Sequence, residues 1–260
     1  MSQPPLIKVE NLTMRFGGLT ALDALSMAVR EGEILGLIGP NGSGKTTFFN
    51  VLTGLYKASA GRIVYRGEDV IGKTPQEIYR GGVARTFQRS RLSLSLTVFD
   101  NIVIGDYQHM RHGLVFNLLR RRAFRAEYEA YVEKVRALLE IFSPPLVKRL
   151  FEPVDTFTMI DRRRIEVCRA LMSEPRLLLL DEPSAGMTHD ETDELMGDIL
   201  QVRGRMNNLS VVLIEHEMKV IERVTERCVV LNYGRKIAEG SYAEITADAN
   251  VQTAYLGEAQ

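Results

Sequence analysis

A glycine-rich loop set between an apolar run and a helix start constrains this chain more than any other feature. Residues Gly39-Pro40-Asn41-Gly42-Ser43-Gly44-Lys45-Thr46-Thr47 carry the spacing Gly-x4-Gly-Lys-Thr, the pattern of a phosphate-binding P-loop. Ile34-Leu35-Gly36-Leu37-Ile38 precedes it, and a helix is expected from about Lys45. Strand, glycine-rich turn and helix in that order are the setting the motif needs, and they commit the fold to an α/β core. The three glycines let the backbone curl so that successive N–H groups point inward at phosphate oxygens. The helix N-terminus adds its partial positive charge to the same cradle. In such a loop Lys45 reaches the β- and γ-phosphates and the Thr46 hydroxyl sits on Mg²⁺. A nucleoside triphosphate site is implied.

The next informative stretch is Leu177-Leu178-Leu179-Leu180-Asp181-Glu182. Four leucines ending in an acid describe a buried strand that delivers a carboxylate at its carboxyl end, where α/β sheets bind ligands. Asp181 is expected to help hold Mg²⁺, and Glu182 to polarise the attacking water as general base. His216 follows the apolar run Val211–Ile214 and Glu215, again at a strand end, which favours a γ-phosphate contact over a structural role. Gln88 closes Ala84-Arg85-Thr86-Phe87-Gln88; an uncharged amide there can bind Mg²⁺ or orient water.

Around these motifs the apolar pattern switches twice. Leu6–Glu10, Leu25–Val29, Ile34–Ile38, Gly61–Gly67 and Gly81–Phe87 read as strands, with a turn at Phe16-Gly17-Gly18. From there to about residue 160 the period is helical: Phe124, Tyr128, Tyr131, Val132, Val135, Leu138, Leu139 and Phe142 share a face. Arg120, Arg121, Arg122 and Arg125 read as a solvated helix face. Beyond residue 160 the short runs Leu177–Leu180, Val211–Ile214 and Cys228–Leu231 suit strands of a parallel sheet covered on both sides. The expected organisation is a nucleotide-binding core over 1–88 and 161–260, with a helical insertion over 89–160.

Charge and cysteine content narrow the function classes. Lys plus Arg and Asp plus Glu number 33 each, which argues against a nucleic-acid partner, whose binding needs a basic field. The two cysteines, Cys168 and Cys228, lie in apolar stretches and read as reduced buried thiols of a cytosolic protein. The N-terminus lacks the charged start and apolar core of a signal peptide, and no apolar run approaches the length of a membrane span.

Taken together, the order of P-loop, Gln88, helical insertion, Asp181-Glu182 and His216 resembles the ATP-binding subunits of ABC transporters along essentially the whole chain. Closer wording is similar to the branched-chain amino acid importers: Arg15-Phe16-Gly17-Gly18-Leu19-Thr20-Ala21-Leu22, Ala84–Gln88, Glu215-His216-Glu217-Met218, Tyr233–Gly240 and the tail Ala254-Tyr255-Leu256-Gly257-Glu258. The resemblance implies a RecA-like P-loop NTPase core with an antiparallel β-subdomain and a helical insertion subdomain. It implies ATP and Mg²⁺ as cofactors, with Phe16 stacking on adenine, Gly39 to Thr47 holding the phosphates, and Thr46, Gln88 and Asp181 serving the metal. Lys45, Gln88, Glu182 and His216 would carry hydrolysis. It further implies a second ATPase subunit, two transmembrane permease subunits gripped by the insertion, indirectly a solute-binding protein, and a peripheral place on the cytoplasmic face of the membrane.

One segment departs from that family. Its signature, Leu-Ser-x-Gly-Gln or close to it, aligns with Phe157-Thr158-Met159-Ile160-Asp161. Thr158 keeps a hydroxyl, Asp161 stands in the glutamine position, and Ile160 stands where the family has glycine. In the family this segment covers the γ-phosphate bound by the partner subunit, and a β-branched residue there hinders close approach. The expectation is a competent P-loop site joined to an impaired signature, which favours a heterodimer with a consensus partner. Other readings remain open: a regulatory module that binds ATP with little hydrolysis, or the ATPase of a related urea or lipopolysaccharide transporter.

Overall fold

The computed structural model describes residues 4–88, 90–110, 121–206 and 208–256. The chain forms two compact units. The first takes Met1–Arg85, Arg176–Pro183 and Met206–Gln260, and the second takes Thr86–Pro175 and Ser184–Arg205. The insertion expected over 89–160 falls inside the second unit, whose bounds are wider on both sides.

The first unit holds two sheets. One is antiparallel, in the order β2-β1-β4-β5, from β1 (Ile7–Phe16), β2 (Leu19–Val29), β4 (Ala60–Tyr65) and β5 (Glu68–Asp69). Burial along β1 and β2 tends to alternate, as strands with one covered face require. The other has the order β10-β9-β3-β8-β7-β6, from β3 (Ile34–Ile38), β6 (Val83–Arg85), β7 (Leu177–Asp181), β8 (Ser210–Ile214), β9 (Arg227–Asn232) and β10 (Arg235–Gly240). Every residue of β3, β7 and β8 is buried, the signature of parallel strands covered on both faces. The strand expected over Gly81–Phe87 shrinks to β6, because Gly81 and Gly82 end the preceding helix, α2 (Pro75–Arg80), and turn the chain.

Between loop and core runs α1 (Lys45–Leu52), which buries Phe48, Phe49, Val51 and Leu52. These side chains pack in one apolar cluster with Leu12, Leu25 and Ile63 of the antiparallel sheet and Leu35, Leu179, Val212 and Val229 of the parallel one. The helix that carries the phosphate loop is therefore fixed by an apolar core shared between the two sheets. Three further helices complete it: α8 (Met218–Val224), α9 (Tyr242–Ala247) and α10 (Ala249–Leu256).

The second unit is helical. It contains α3 (Val98–Val103), α4 (Arg121–Phe142), α5 (Pro144–Lys148), α6 (Met159–Leu171) and α7 (His189–Arg205). Of the periodic apolar face expected on α4, Val135, Leu139 and Phe142 are buried, whereas Phe124 and Tyr128 stay exposed. Arg125 pairs with Glu129 one turn on, at 3.0 Å, as a solvated face should; Arg120, Gly257 and Glu258 lie outside the described residues. The α/β P-loop NTPase fold, with its antiparallel sheet and helical part, is as the sequence implies.

Candidate nucleotide site

Parallel register brings the predicted catalytic groups of the first unit to one edge of its sheet. Asp181 pairs with Ile214, and Gly36 of the P-loop strand pairs with Leu213. The P-loop, Asp181-Glu182 and Glu215-His216 thus follow the carboxyl ends of β3, β7 and β8, where open α/β sheets bind ligands.

The loop from Gly39 to Gly44 has the conformation of a phosphate cradle. Gly39, Gly42 and Gly44 all have positive φ (145°, 74° and 107°). A Cβ on Gly39 would lie 2.1 Å from the Leu231 carbonyl oxygen, and one on Gly44 2.6 Å from that of Ala21; at these two positions any other residue is excluded. The loop is pinned from outside by Gly234, whose N–H donates to the Ser43 carbonyl at 2.9 Å. Lys45 Nζ donates to the carbonyls of Gly39 at 2.6 Å and Pro40 at 2.9 Å, which holds its ammonium against the loop. Ser43 Oγ is buried without a hydrogen-bond partner among the described residues, an acceptor and donor open to a phosphate oxygen. Thr46 is exposed on the first turn of α1, and Thr47 is half-buried beside it.

Glu182 sits just past β7 in a left-handed backbone conformation, φ 49°, held by its N–H to the Ile214 carbonyl at 3.0 Å. Such strain persists where the surroundings over-determine it, often at functional sites. His216 Nε2 lies 2.7 Å from Glu182 Oε1, so the imidazole N–H donates to the carboxylate and orients it. The histidine is half exposed and the glutamate mostly covered. Asp181 is buried, and burial pushes its carboxyl up from the ordinary value while the hydrogen-bonded guanidinium of Arg85 opposes that rise.

Phe16 ends β1 and is 42% exposed, available for stacking. It is not alone: Tyr56 packs edge-on to it at 5.3 Å between centroids, an aromatic partner that sequence reasoning missed because nothing in spacing links residue 56 to residue 16. Arg85 was also passed over, although a lone arginine at the end of an apolar strand was a visible signal. Alongside the P-loop, Pro40, Asn41 and Ser43 share a cavity of about 630 Å³ with Asn232, Tyr233 and Asn250. Lys45 and Asp181 do not line that cavity, although Pro40 to Ser43 of the phosphate loop do.

Gln88, Thr158, Ile160 and Asp161 belong to the second unit. The Gln88 carbonyl accepts from Arg163 Nη2 at 2.8 Å. Thr158 caps α6, accepting from the Asp161 N–H and donating its hydroxyl to Asp161 Oδ2 at 2.9 Å. Ile160 is turned inward. Its side chain is 8% exposed and packs into the unit's interior, whereas Met159 is 52% exposed. At the start of α6 the residue presented outward is methionine, because residues 159 and 160 lie about 100° apart around the helix.

A metal ion fits this donor set only together with a nucleotide. Among the described residues no group of three or more His, Cys, Asp or Glu side chains could cage a cation. One carboxylate and one hydroxyl, completed by phosphate oxygens and water, is instead the arrangement Mg²⁺ favours.

Fold and site define a P-loop ATPase of the ATP-binding cassette class. The ABC transporter family model matches residues 22–185, and a model of the branched-chain amino acid ATP-binding cassette transporters matches 235–260. The chain is 41% identical over 259 residues to the high-affinity branched-chain amino acid transport ATP-binding protein LivG of Salmonella typhimurium, covering all of both chains. It is 39% identical to BraF of Pseudomonas aeruginosa, a protein of the same description, over 98% of this chain and 99% of that one. Among solved structures, the ADP conformation of MJ1267, an ATP-binding cassette of an ABC transporter, superposes with a TM-score of 0.84 at 29% identity, over 98% of this chain and 100% of the other. The chain belongs to the ABC transporter ATP-binding family and is an ATPase subunit of such a transporter.

Proposed function

We propose that this subunit drives import of branched-chain amino acids or similar small solutes, from the cytoplasmic face of the membrane. The support is the unbroken similarity to LivG and BraF, which carry that description, and to the C-terminal model of the same branch. No described helix is long and apolar enough to cross a membrane, so the permease function falls to other subunits. The second unit carries an aromatic group suited to gripping them, in which Phe99 packs against Tyr128 at 5.2 Å and Phe151 at 5.8 Å, with Phe124 exposed nearby.

The 2.7 Å contact between His216 and Glu182 carries the catalytic reading. Glu182 takes the proton of the attacking water, and His216 holds the carboxylate in place and faces the γ-phosphate. Gly39 to Thr47 bind the phosphates through backbone N–H groups, with Lys45 neutralising charge. Thr46 and Asp181 would hold Mg²⁺, which supplies charge stabilisation of the departing phosphate. Phe16 stacks on the base. Gln88 serves water or metal, and the helix start that carries Thr158, Ile160 and Asp161 lies toward a partner subunit's nucleotide. Because Ile160 stands where the family has glycine, the partner is a different ATPase chain with an intact signature, so that the assembled pair has one strong site.

Glu182→Gln tests the catalytic part: ATP should still bind, and turnover should fall to a small residue. Near-normal turnover would remove Glu182 from the role of base. The transport part is tested by deleting the chain from its source cell and following leucine, isoleucine and valine uptake. Unchanged uptake of all three would sink the solute assignment.

A further inference from the structure

Asp181 does not stand alone in the first unit. β6 and β7 run parallel with Arg85 beside Leu179, so the arginine side chain lies along the strand toward the acid. Arg85 Nη2 donates to Asp181 Oδ2 at 2.6 Å, with the two side chains 5% and 3% exposed. The other amino group, Nη1, donates to Asn50 Oδ1 at 2.8 Å and Thr53 Oγ1 at 3.4 Å. Asn50 lies on α1 and Thr53 caps it. The guanidinium carbon lies 5.3 Å from the centre of the Phe49 ring on the same helix, within reach of a cation–π contact. One guanidinium therefore joins the strand that ends in Asp181 to the helix that begins at the phosphate loop.

Two physical points argue for a purpose beyond stability. A buried ion pair gains little over an apolar pair of the same volume, since desolvation of both charges offsets their attraction. The planar fork of arginine, however, fixes direction, holding two acceptors in set geometry. Among the described residues no donor other than Arg85 reaches Asp181, so one of its oxygens is clamped and the other is left for a cation.

We infer that Arg85 is a positioning residue: it clamps Asp181 by Oδ2 to the P-loop helix and leaves Oδ1 to a divalent cation bound with the nucleotide phosphates. This rests on the reading of Asp181 as the metal-side acid. It assigns a task to the arginine of the Ala84–Gln88 stretch that neither the P-loop nor the Asp-Glu motif contains.

The experiment uses the full chain in a Glu182→Gln background, with Arg85→Gln, Arg85→Lys and Asp181→Asn compared. Mn²⁺ affinity of the protein–ATP complex is read by electron paramagnetic resonance, and affinity for a fluorescent ATP analogue is read in EDTA. Arg85→Gln should weaken Mn²⁺ about 10–100-fold, the usual consequence of losing a ligand's supporting partner. Analogue binding in EDTA should be unchanged, which also shows an intact loop. Arg85→Lys, keeping the charge but not the fork, should recover only part of the Mn²⁺ affinity. If Asp181→Asn loses Mn²⁺ while Arg85→Gln keeps it, the inference fails and the reading of Asp181 stands. If Asp181→Asn binds Mn²⁺ as before, the reading of Asp181 fails and the inference with it. Equal losses of Mn²⁺ and analogue binding in Arg85→Gln would make the arginine a structural bolt and overturn the inference.

Discussion

Replacing Ile160 by glycine restores the family's small residue at the start of α6, and the structure says what that replacement does to the fold. The side chain is 8% exposed at the second residue of the helix. Burying an isoleucine is worth about 1.5–3 kcal/mol in transfer alone, and large-to-small changes in cores cost about 2–5 kcal/mol once the cavity is included. Glycine adds roughly 0.5–1 kcal/mol of backbone entropy. The expected loss is about 3–5 kcal/mol. At about 2–4 °C per kcal/mol for a chain of this size, the melting temperature should fall by roughly 10 °C. Circular dichroism melts of Ile160→Gly beside Ile160→Val, for which about 0.5–1.5 kcal/mol is expected, measure this directly. A glycine variant that melts with the wild type would refute the inward placement of Ile160. Met159→Gly is the companion variant. Its side chain is 52% exposed, so it uncovers the first turn of α6 for roughly the 1 kcal/mol of glycine's helix penalty. If light scattering shows ATP-driven self-association of Glu182→Gln only when Met159→Gly is added, the outward methionine is the obstacle to a symmetric pair. Equal association with and without it would return the homodimer.

Lys45→Ala should abolish productive ATP binding in equilibrium titrations, because its ammonium is held against the loop carbonyls; binding at wild-type strength would dismiss its role on the phosphates. The thiols of Cys168 and Cys228 are both buried, and burial pushes both up from the ordinary cysteine value. Iodoacetamide at pH 8 should therefore leave the folded chain unlabelled and label both residues in denaturant. Because the folded state holds these protons more tightly than the unfolded one, their contribution to stability is complete below the unfolded thiol pKa and declines as pH rises above it. A melting temperature that climbs between pH 8 and pH 10 would contradict that sign.

The parts of the site that were legible from sequence are those that spacing fixes. Gly39, Gly44 and Lys45 follow from a backbone path that few other residues can take, and the four leucines before Asp181 describe a fully buried strand whatever the neighbours are. What spacing cannot fix is which way a side chain points at the start of a helix. The alignment sets Ile160 in the glycine position but cannot say that the core of the second unit takes its side chain and leaves Met159 outside. Arg85 is visible at the end of an apolar strand, but the groups it binds are not. Its acceptors lie 35 and 96 residues away, and the strand pairing that brings them together, β6 against β7, is set by tertiary packing. The Phe16–Tyr56 contact is non-local in the same sense. The strand over Gly81–Phe87 was overextended because Gly81 and Gly82 terminate α2 and do not begin a strand.

The altered signature segment is a well-built helix start, and this bears on how it functions. Thr158 and Asp161 form a capping pair of the kind that satisfies the free N–H groups of a first turn. Asp161 is held in addition by Arg164 Nη1 at 3.3 Å, and Arg164 is itself anchored to Asp198 at 2.8 Å and Glu194 at 2.6 Å on α7. A segment under no constraint would lose such a network first, since each member left unpaired in a buried setting is destabilising. Its presence separates two functions that the alignment merges. The helix start is maintained for the architecture of its own unit, while Met159 is the large apolar side chain it offers outward. Cap and network variants should therefore lower stability without restoring symmetry between two ATP sites, and Met159 variants should do the reverse. Measuring ATP turnover at each site of the assembled complex, with the other disabled, places each residue in one group or the other; a cap variant that equalises the two sites would show that the two functions are one.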